Sequence, residues 1–217
     1  MNKAFIFDMD GVLVDSERAW ESADAVIWEK LVGPEIKKRM GSLLGMGLRS
    51  SHERAIQCGA SVDYEKLLEE FAAVRASVYA NSALTEGADM LARKLAASDF
   101  KLGLVSASHT DSINHVLPRL QFADKLEVVI SLNDTPGLKP KPAPDGYLEA
   151  LKRLDANPKI SIILEDSNLG IQAAKASGAY TIGYRGNLLP GYEQTGADAY
   201  ADTMDDVIKL VESFDRN

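Results

Sequence analysis

Five short runs of β-branched and aromatic residues punctuate the chain: Ala4 to Phe7, Leu102 to Val105, Val128 to Ile130, Ile160 to Leu164 and Tyr180 to Tyr184. Each is almost continuously apolar rather than alternating, the pattern of strands covered on both faces in a parallel sheet. Between them lie stretches of helical periodicity: Gly87 to Ala97, Asp111 to Leu120, Asp145 to Leu154 and Leu169 to Ser177. Gly178 is placed to end the last of these with a left-handed residue. From about residue 83 onward strand and helix alternate, which predicts an α/β sheet with crossover helices.

The stretch from Ser16 to Ser82 breaks this alternation. Trp20, Ala23, Ile27, Trp28 and Leu31 recur at spacings of three and four, as do Leu67, Leu68, Phe71, Val74 and Val78. Apolar stripes of this kind bury against another helix. The expectation is a helical cap, residues 16–82, inserted into an α/β core of residues 1–15 and 83–217. The segment Thr203 to Phe214 reads as an ordinary amphipathic helix.

Composition narrows the class. Of 217 residues, 46% are hydrophobic, and 24 Lys and Arg face 32 Asp and Glu for a net charge of −8. That is a soluble globular chain, and its acidic balance argues against a nucleic-acid surface. No apolar run approaches the roughly 18–20 residues needed to span a bilayer, and Met1 to Asp8 does not read as a signal peptide. A cytoplasmic location is expected, and the single Cys58 cannot form an internal disulfide.

Candidate chemistry collects where strands end. Asp8 and Asp10, in Phe5-Ile6-Phe7-Asp8-Met9-Asp10-Gly11-Val12, follow directly on the first strand. The second strand runs into Ser106-Ala107-Ser108 and the fourth into Glu165-Asp166-Ser167; a loop after the third leads to Lys141-Pro142-Ala143-Pro144. In a parallel sheet these ends share one edge, where open α/β sheets bind ligands. Bland readings compete for single members: Asp166 as a helix cap, Lys139 in place of Lys141, and Ser108 in place of Ser106. His52, His109 and His115 lack metal-ligand spacing and read as surface or packing residues.

Taken together, Asp8-Met9-Asp10-Gly11-Val12, the strand ending at Ser106, Lys141-Pro142-x-Pro144 and Glu165-Asp166-Ser167 before Gly170-Ile171-Gln172-Ala173-Ala174 resemble the haloacid dehalogenase superfamily. Within it they are most similar to the group of β-phosphoglucomutases and sugar-phosphate phosphatases. The resemblance spans essentially the whole chain and implies a Rossmann-like core with an α-helical cap. It implies Asp8 as nucleophile, Asp10 as general acid and base, and Lys141 as a catalytic cation. Ser106, the Ala107 backbone N–H and Lys141 would hold the phosphoryl oxygens. Mg²⁺ would be held by the side chains of Asp8 and Asp166 and the backbone carbonyl of Asp10, with Glu165 acting through water or from behind the ligands. Four acids converging on a phosphate need such a cation, because at 4 Å and an effective dielectric near 20 each like-charge pair costs about 4 kcal/mol.

The expected activity is phosphatase action on a small phosphorylated metabolite, a sugar phosphate, by a monomer or small homo-oligomer with no nucleic-acid or membrane partner. The resemblance points to the loop Gly45-Met46-Gly47-Leu48-Arg49 for specificity, through Arg49, with Arg75 as a second candidate. β-Phosphoglucomutases carry a histidine twelve positions after the nucleophile; here that position is Trp20, which disfavours the mutase. The alternatives are that mutase and a catalytically inactive binding module.

Overall fold

The computed structural model of the chain describes residues 1–43 and 46–215. After β1 (Lys3–Phe7) come three helices, α1 (Glu17–Met40), α2 (Leu48–Gln57) and α3 (Tyr64–Asn81). The remainder alternates: α4 (Ala88–Ala97), β2 (Phe100–Ser106), α5 (Thr110–Val116), β3 (Leu126–Ser131), α6 (Asp145–Arg153), β4 (Ile162–Glu165), α7 (Asn168–Ser177), β5 (Tyr180–Tyr184), β6 (Ala199–Ala201) and α8 (Met204–Phe214). The strands form one sheet in the order β3-β2-β1-β4-β5-β6, each neighbouring pair parallel. This is the Rossmann-like α/β architecture that the alternation predicts.

The continuous apolar character of β1 follows from burial on both faces. Phe5 and Phe7 pack on one side with Leu91, Phe122 and Val207, and Ala4 and Ile6 on the other with Tyr147, Leu151 and Ala173. Successive side chains of a strand point to opposite faces, so a doubly covered strand has no polar positions to spare. The edges differ. On β3, Val129 is 37% exposed, because this strand has a neighbour on one side only. At the other edge lies β6, Ala199–Ala201, whose three residues are too few to be recognised from their pattern.

Two further departures have local causes. Ile160 belongs to a short 3₁₀ turn, Pro158–Ile160, and β4 begins at Ile162. Helix α5 stops at Val116 rather than Leu120 and tightens into the 3₁₀ turn Leu117–Arg119, where Pro118 has no N–H to continue the ladder. Gly178 ends α7 at φ 85°, the left-handed conformation expected of it.

Helices α1 to α3 share an apolar cluster of their own, centred on Ile27, Trp28, Met40, Leu67 and Phe71. Helix α1 bends at Gly33 (φ 77°), since Pro34 disfavours helical geometry in the residue before it. Trp20 packs against this cluster and against the sheet's own core. The carboxyl end of α3 is tied down by Arg119, whose guanidinium donates to the carbonyls of Tyr79 and Ser82 at 2.5 and 2.6 Å.

The connections after β1 run to opposite sides, β2 on one and β4 on the other. The carboxyl end of β1 is therefore a topological switch point, where a crevice opens between diverging loops.

Candidate functional site

Asp8 follows the last residue of β1, and its N–H donates to the Leu164 carbonyl on β4 at 3.0 Å, which carries it to the mouth of the crevice. Glu165 ends β4 and Asp166 follows it. Carboxylate oxygens of Asp8, Glu165 and Asp166 lie within 4.8 Å of one another, all three side chains buried. Lys141 reaches in from the loop after β3: its Nζ donates to Asp8 Oδ1 at 2.6 Å and to Glu165 Oε1. Lys139, the competing lysine, is exposed.

The carboxylates are not equivalent. Glu165 is saturated with donors: Oε1 accepts from Lys141 and from the Tyr147 hydroxyl at 2.5 Å, and Oε2 from the backbone N–H groups of Asp166 and Ser167 and from Ser167 Oγ at 3.1–3.2 Å. Asp8 keeps Oδ2 free, and the Asp166 carboxylate accepts no hydrogen bond among the described residues. Two glycines make room for this packing. A Cβ on Gly170 would lie 1.9 Å from the Glu165 carboxyl, and one on Gly11 (φ +75°) 1.9 Å from Asp166 Oδ2.

Burial pushes the Asp8 carboxyl well above its usual range; Lys141 opposes this, and Glu165 and Asp10 add to it. Burial raises Asp166 likewise, helped by Glu17, Glu165 and Asp8. Burial alone would depress Lys141, but Asp8 and Glu165 carry it well above the usual lysine value. One lysine therefore does not neutralise the cluster. The free oxygens of Asp8 and Asp166, an all-oxygen donor pair in a site with surplus negative charge, suit a hard divalent cation.

Asp10 is held separately by three hydroxyls. Its Oδ1 accepts from Ser16 Oγ at 2.5 Å and the Tyr79 hydroxyl at 3.0 Å, and its Oδ2 from Ser108 Oγ at 2.8 Å. Trp20 Nε1 donates in turn to the Tyr79 hydroxyl at 3.2 Å. Ser106 is buried at the end of β2, where its Oγ accepts the Ser108 N–H at 3.0 Å.

These groups open into a cavity of about 340 Å³ whose lining includes Asp8, Asp10, Lys141, Asp166, Ser106, Ala107 and Ser108. Its other wall comes from the helical segment, including Glu17, Trp20, Asp24, Trp28 and Phe71. Met46, Gly47 and Leu48 also line it, while Gly45 lies outside the described residues. The expectation for Arg49 is corrected: it does not line the cavity but is exposed, its guanidinium 5.1 Å from the ring centre of Tyr64. The second residue of α2, it is carried outward while Leu48 faces in. Arg75 does line the cavity, buried and 3.2 Å from Asp111. His109, read as surface or packing, is also in the wall, with Nδ1 2.7 Å from Asp134.

Sequence alone assigns Ser16, Tyr79 and Tyr147 no role in the site, and Ser108 enters only as a rival to Ser106. None directly follows a strand, since β2 ends at Ser106, so only contact across the fold reveals their roles.

A carboxylate cluster with an embedded lysine at a switch point defines an α/β enzyme. A model of the family described as haloacid dehalogenase-like hydrolase matches residues 5–184. The chain is 29% identical over 184 residues to validoxylamine A 7′-phosphate phosphatase of Streptomyces hygroscopicus subsp. limoneus, covering 84% of this chain and 85% of that one. It is 27% identical over 213 residues to β-phosphoglucomutase of Bacillus subtilis, covering 90% and 87%. A crystal structure of β-phosphoglucomutase from Clostridium difficile shares the fold, with a TM-score of 0.80 at 24% identity over 100% of this chain and 98% of that one. The chain belongs to the haloacid dehalogenase-like hydrolases. No helix among the described residues is long and apolar enough to cross a membrane.

Proposed function

We propose that this hydrolase is a Mg²⁺-dependent phosphatase that cleaves a small phosphorylated metabolite, a sugar phosphate, through an aspartyl-phosphate on Asp8. The observation that carries the reading is the convergence of Asp8 and Asp166, each with an oxygen free of donors, beside Lys141 at the switch point. Asp8, Asp166 and the Asp10 carbonyl are the groups that would hold Mg²⁺. When bound, the ion neutralises surplus carboxylate charge and the phosphoryl oxygens.

The chain's own groups then have defined tasks. An Asp8 oxygen attacks phosphorus, forming an O–P bond as the ester O–P bond breaks, and Asp10 gives its proton to the departing oxygen. Water next attacks the phosphorus, Asp10 takes its proton back, and phosphate leaves as the Asp8 carboxylate is regenerated. Lys141 orients Asp8 and stabilises charge on the transferring group, with Ser106 and the Ala107 N–H as further donors. Glu165, saturated with donors, fixes Lys141 rather than reacting. Ser16, Tyr79 and Ser108 keep Asp10 aside until substrate arrives, and residues 16–82 act as a cap whose position over the crevice excludes water.

Resemblance to β-phosphoglucomutase keeps phosphoryl transfer to a sugar hydroxyl as the alternative. Against it, Trp20 offers an N–H already donated to Tyr79 and no base. The test is release of inorganic phosphate from p-nitrophenyl phosphate in Mg²⁺ and in EDTA, with β-glucose 1-phosphate run in parallel. Magnesium-dependent release is expected. Conversion of β-glucose 1-phosphate without phosphate release would favour the mutase, and no turnover in any metal would favour an inactive binding module.

A further inference from the structure

One face of α1 forms much of the helical wall of the cavity. Glu17, Trp20, Glu21, Asp24 and Trp28 fall along it at helical spacing, and all five line the cavity. Two features of this wall do nothing within the protein. Trp28 is fully buried, yet its Nε1–H has no acceptor among the described residues. An indole N–H can only donate, so what is missing is an acceptor. The carboxylates of Glu17, Glu21 and Asp24 likewise accept no hydrogen bond from any described residue.

Of the cations that line the cavity, Arg75 and Lys141 are paired, while Lys37 has no ion pair among the described residues. Arg75 faces Asp111 at 3.2 Å, and Lys141 lies between Asp8 and Glu165. Lys37 acts on Asp24, yet burial still pushes that carboxyl up to about 7. Glu17 and Glu21 have no ion pair among the described residues. Trp20 and Phe71, also in the wall, stack with ring centres 5.8 Å apart and add aromatic surface.

We infer that this face of α1 reads the part of the substrate that departs from phosphorus, and that this part is a hydroxylated skeleton carrying a protonated amine and no second anion. The inference rests on the phosphatase reading for the reacting phosphate. Three other ligand chemistries fit less well. A second phosphate or a carboxylate would accept from Trp28 and could meet Lys37, but it would face three acids against that one cation. A simple ammonium would answer the acids and leave Trp28 unpaired. A neutral polyol would serve both by hydrogen bonds and give the Glu17 and Asp24 carboxyls, raised by burial, no cation to ionise against. An amine on a polyol satisfies both, and aromatic rings favour a cation beside them.

The experiment compares kcat/KM for glucosamine 6-phosphate, N-acetylglucosamine 6-phosphate, glucose 6-phosphate and fructose 1,6-bisphosphate. The amine is expected to lead both uncharged sugars by about tenfold, and the bisphosphate to be slowest. Glu21→Gln, at an exposed position, and Asp24→Asn should each cut the amine preference severalfold while leaving the ratio between the two uncharged sugars unchanged. Trp20 and Trp28 are the chain's two tryptophans. Glucosamine without phosphate should therefore alter intrinsic fluorescence at lower concentration than glucose does, in EDTA as well. Equal kcat/KM for the amine and its uncharged counterparts, preference for the bisphosphate, or equal fluorescence responses to the two sugars would overturn the inference. Selective glucosamine binding with no hydrolysis of any phosphate ester would sink the phosphatase reading and support the role of α1.

Discussion

On the sheet side of the cavity most polar atoms already have partners within the protein, whereas on the α1 side, Trp20 apart, they have none among the described residues. Glu165 is surrounded by Lys141, Tyr147, Ser167 and two backbone N–H groups, and Asp10 by Ser16, Tyr79 and Ser108. Among the described residues, Glu17, Glu21 and Asp24 accept no hydrogen bond and the Trp28 N–H donates none. On the proposed function and the inference for α1, the difference separates two tasks. Groups that act on phosphorus must be held in place beforehand, because reorganising them during reaction raises the barrier. Groups that recognise a departing skeleton must stay open for it, and the folded protein bears the cost of leaving them so.

If that division holds, substitutions on the sheet side should cost both activity and stability. Asp8→Asn should lower turnover of p-nitrophenyl phosphate by about a thousandfold or more with an unchanged circular dichroism spectrum; residual turnover near wild type would remove Asp8 as nucleophile. Lys141→Met leaves Asp8 and Glu165 buried without their cation and should cost about 3–5 kcal/mol in urea unfolding. A loss below about 1 kcal/mol would mean that the lysine is not integral to the cluster. Tyr79→Phe removes the hydroxyl between Trp20 and Asp10. About 1 kcal/mol of stability should go with it, and kcat should fall with little change in KM as Asp10 loses a donor; a change in stability with an unmoved kcat would make Tyr79 purely structural.

The smallest effect has the opposite sign. Glu17 is raised to about 8 by burial and by Asp10 and Asp8, and Asp24 to about 7 by burial. A carboxyl whose folded value is raised stabilises the fold when protonated. That contribution is complete below the unfolded carboxylate value and is lost as pH climbs through the folded one. In EDTA the melting temperature should therefore fall between about pH 5 and pH 8. Glu17→Gln and Asp24→Asn should flatten that slope and melt above wild type at pH 9, as followed by differential scanning fluorimetry. A parallel slope in both variants would place the pH dependence elsewhere.

Legibility in the sequence was uneven for a physical reason. Strands covered on both faces advertise themselves as apolar runs, and the residue following such a run reaches the sheet's edge wherever the sheet is parallel. Asp8, Ser106, Glu165 and Asp166 were readable on that rule, and Gly11 and Gly170 belong to the same motifs through the close contacts they permit. Edge strand β6 escaped because it is short and half-exposed, and Arg49 lies away from the cavity because the first turn of α2, not legible in the loop motif, directs it outward.

Local pattern, then, determined the α/β alternation, the helical insertion and the acids at the strand ends, since each depends on a handful of consecutive residues. Only the tertiary structure decided which oxygens remain free. It brought Tyr79 to Asp10 across 69 positions, Lys141 to Asp8 across 133, and one face of α1 to the same cavity. Hydrogen bonds depend on distance in space, and chain separation carries no record of that until the sheet and the helices have packed.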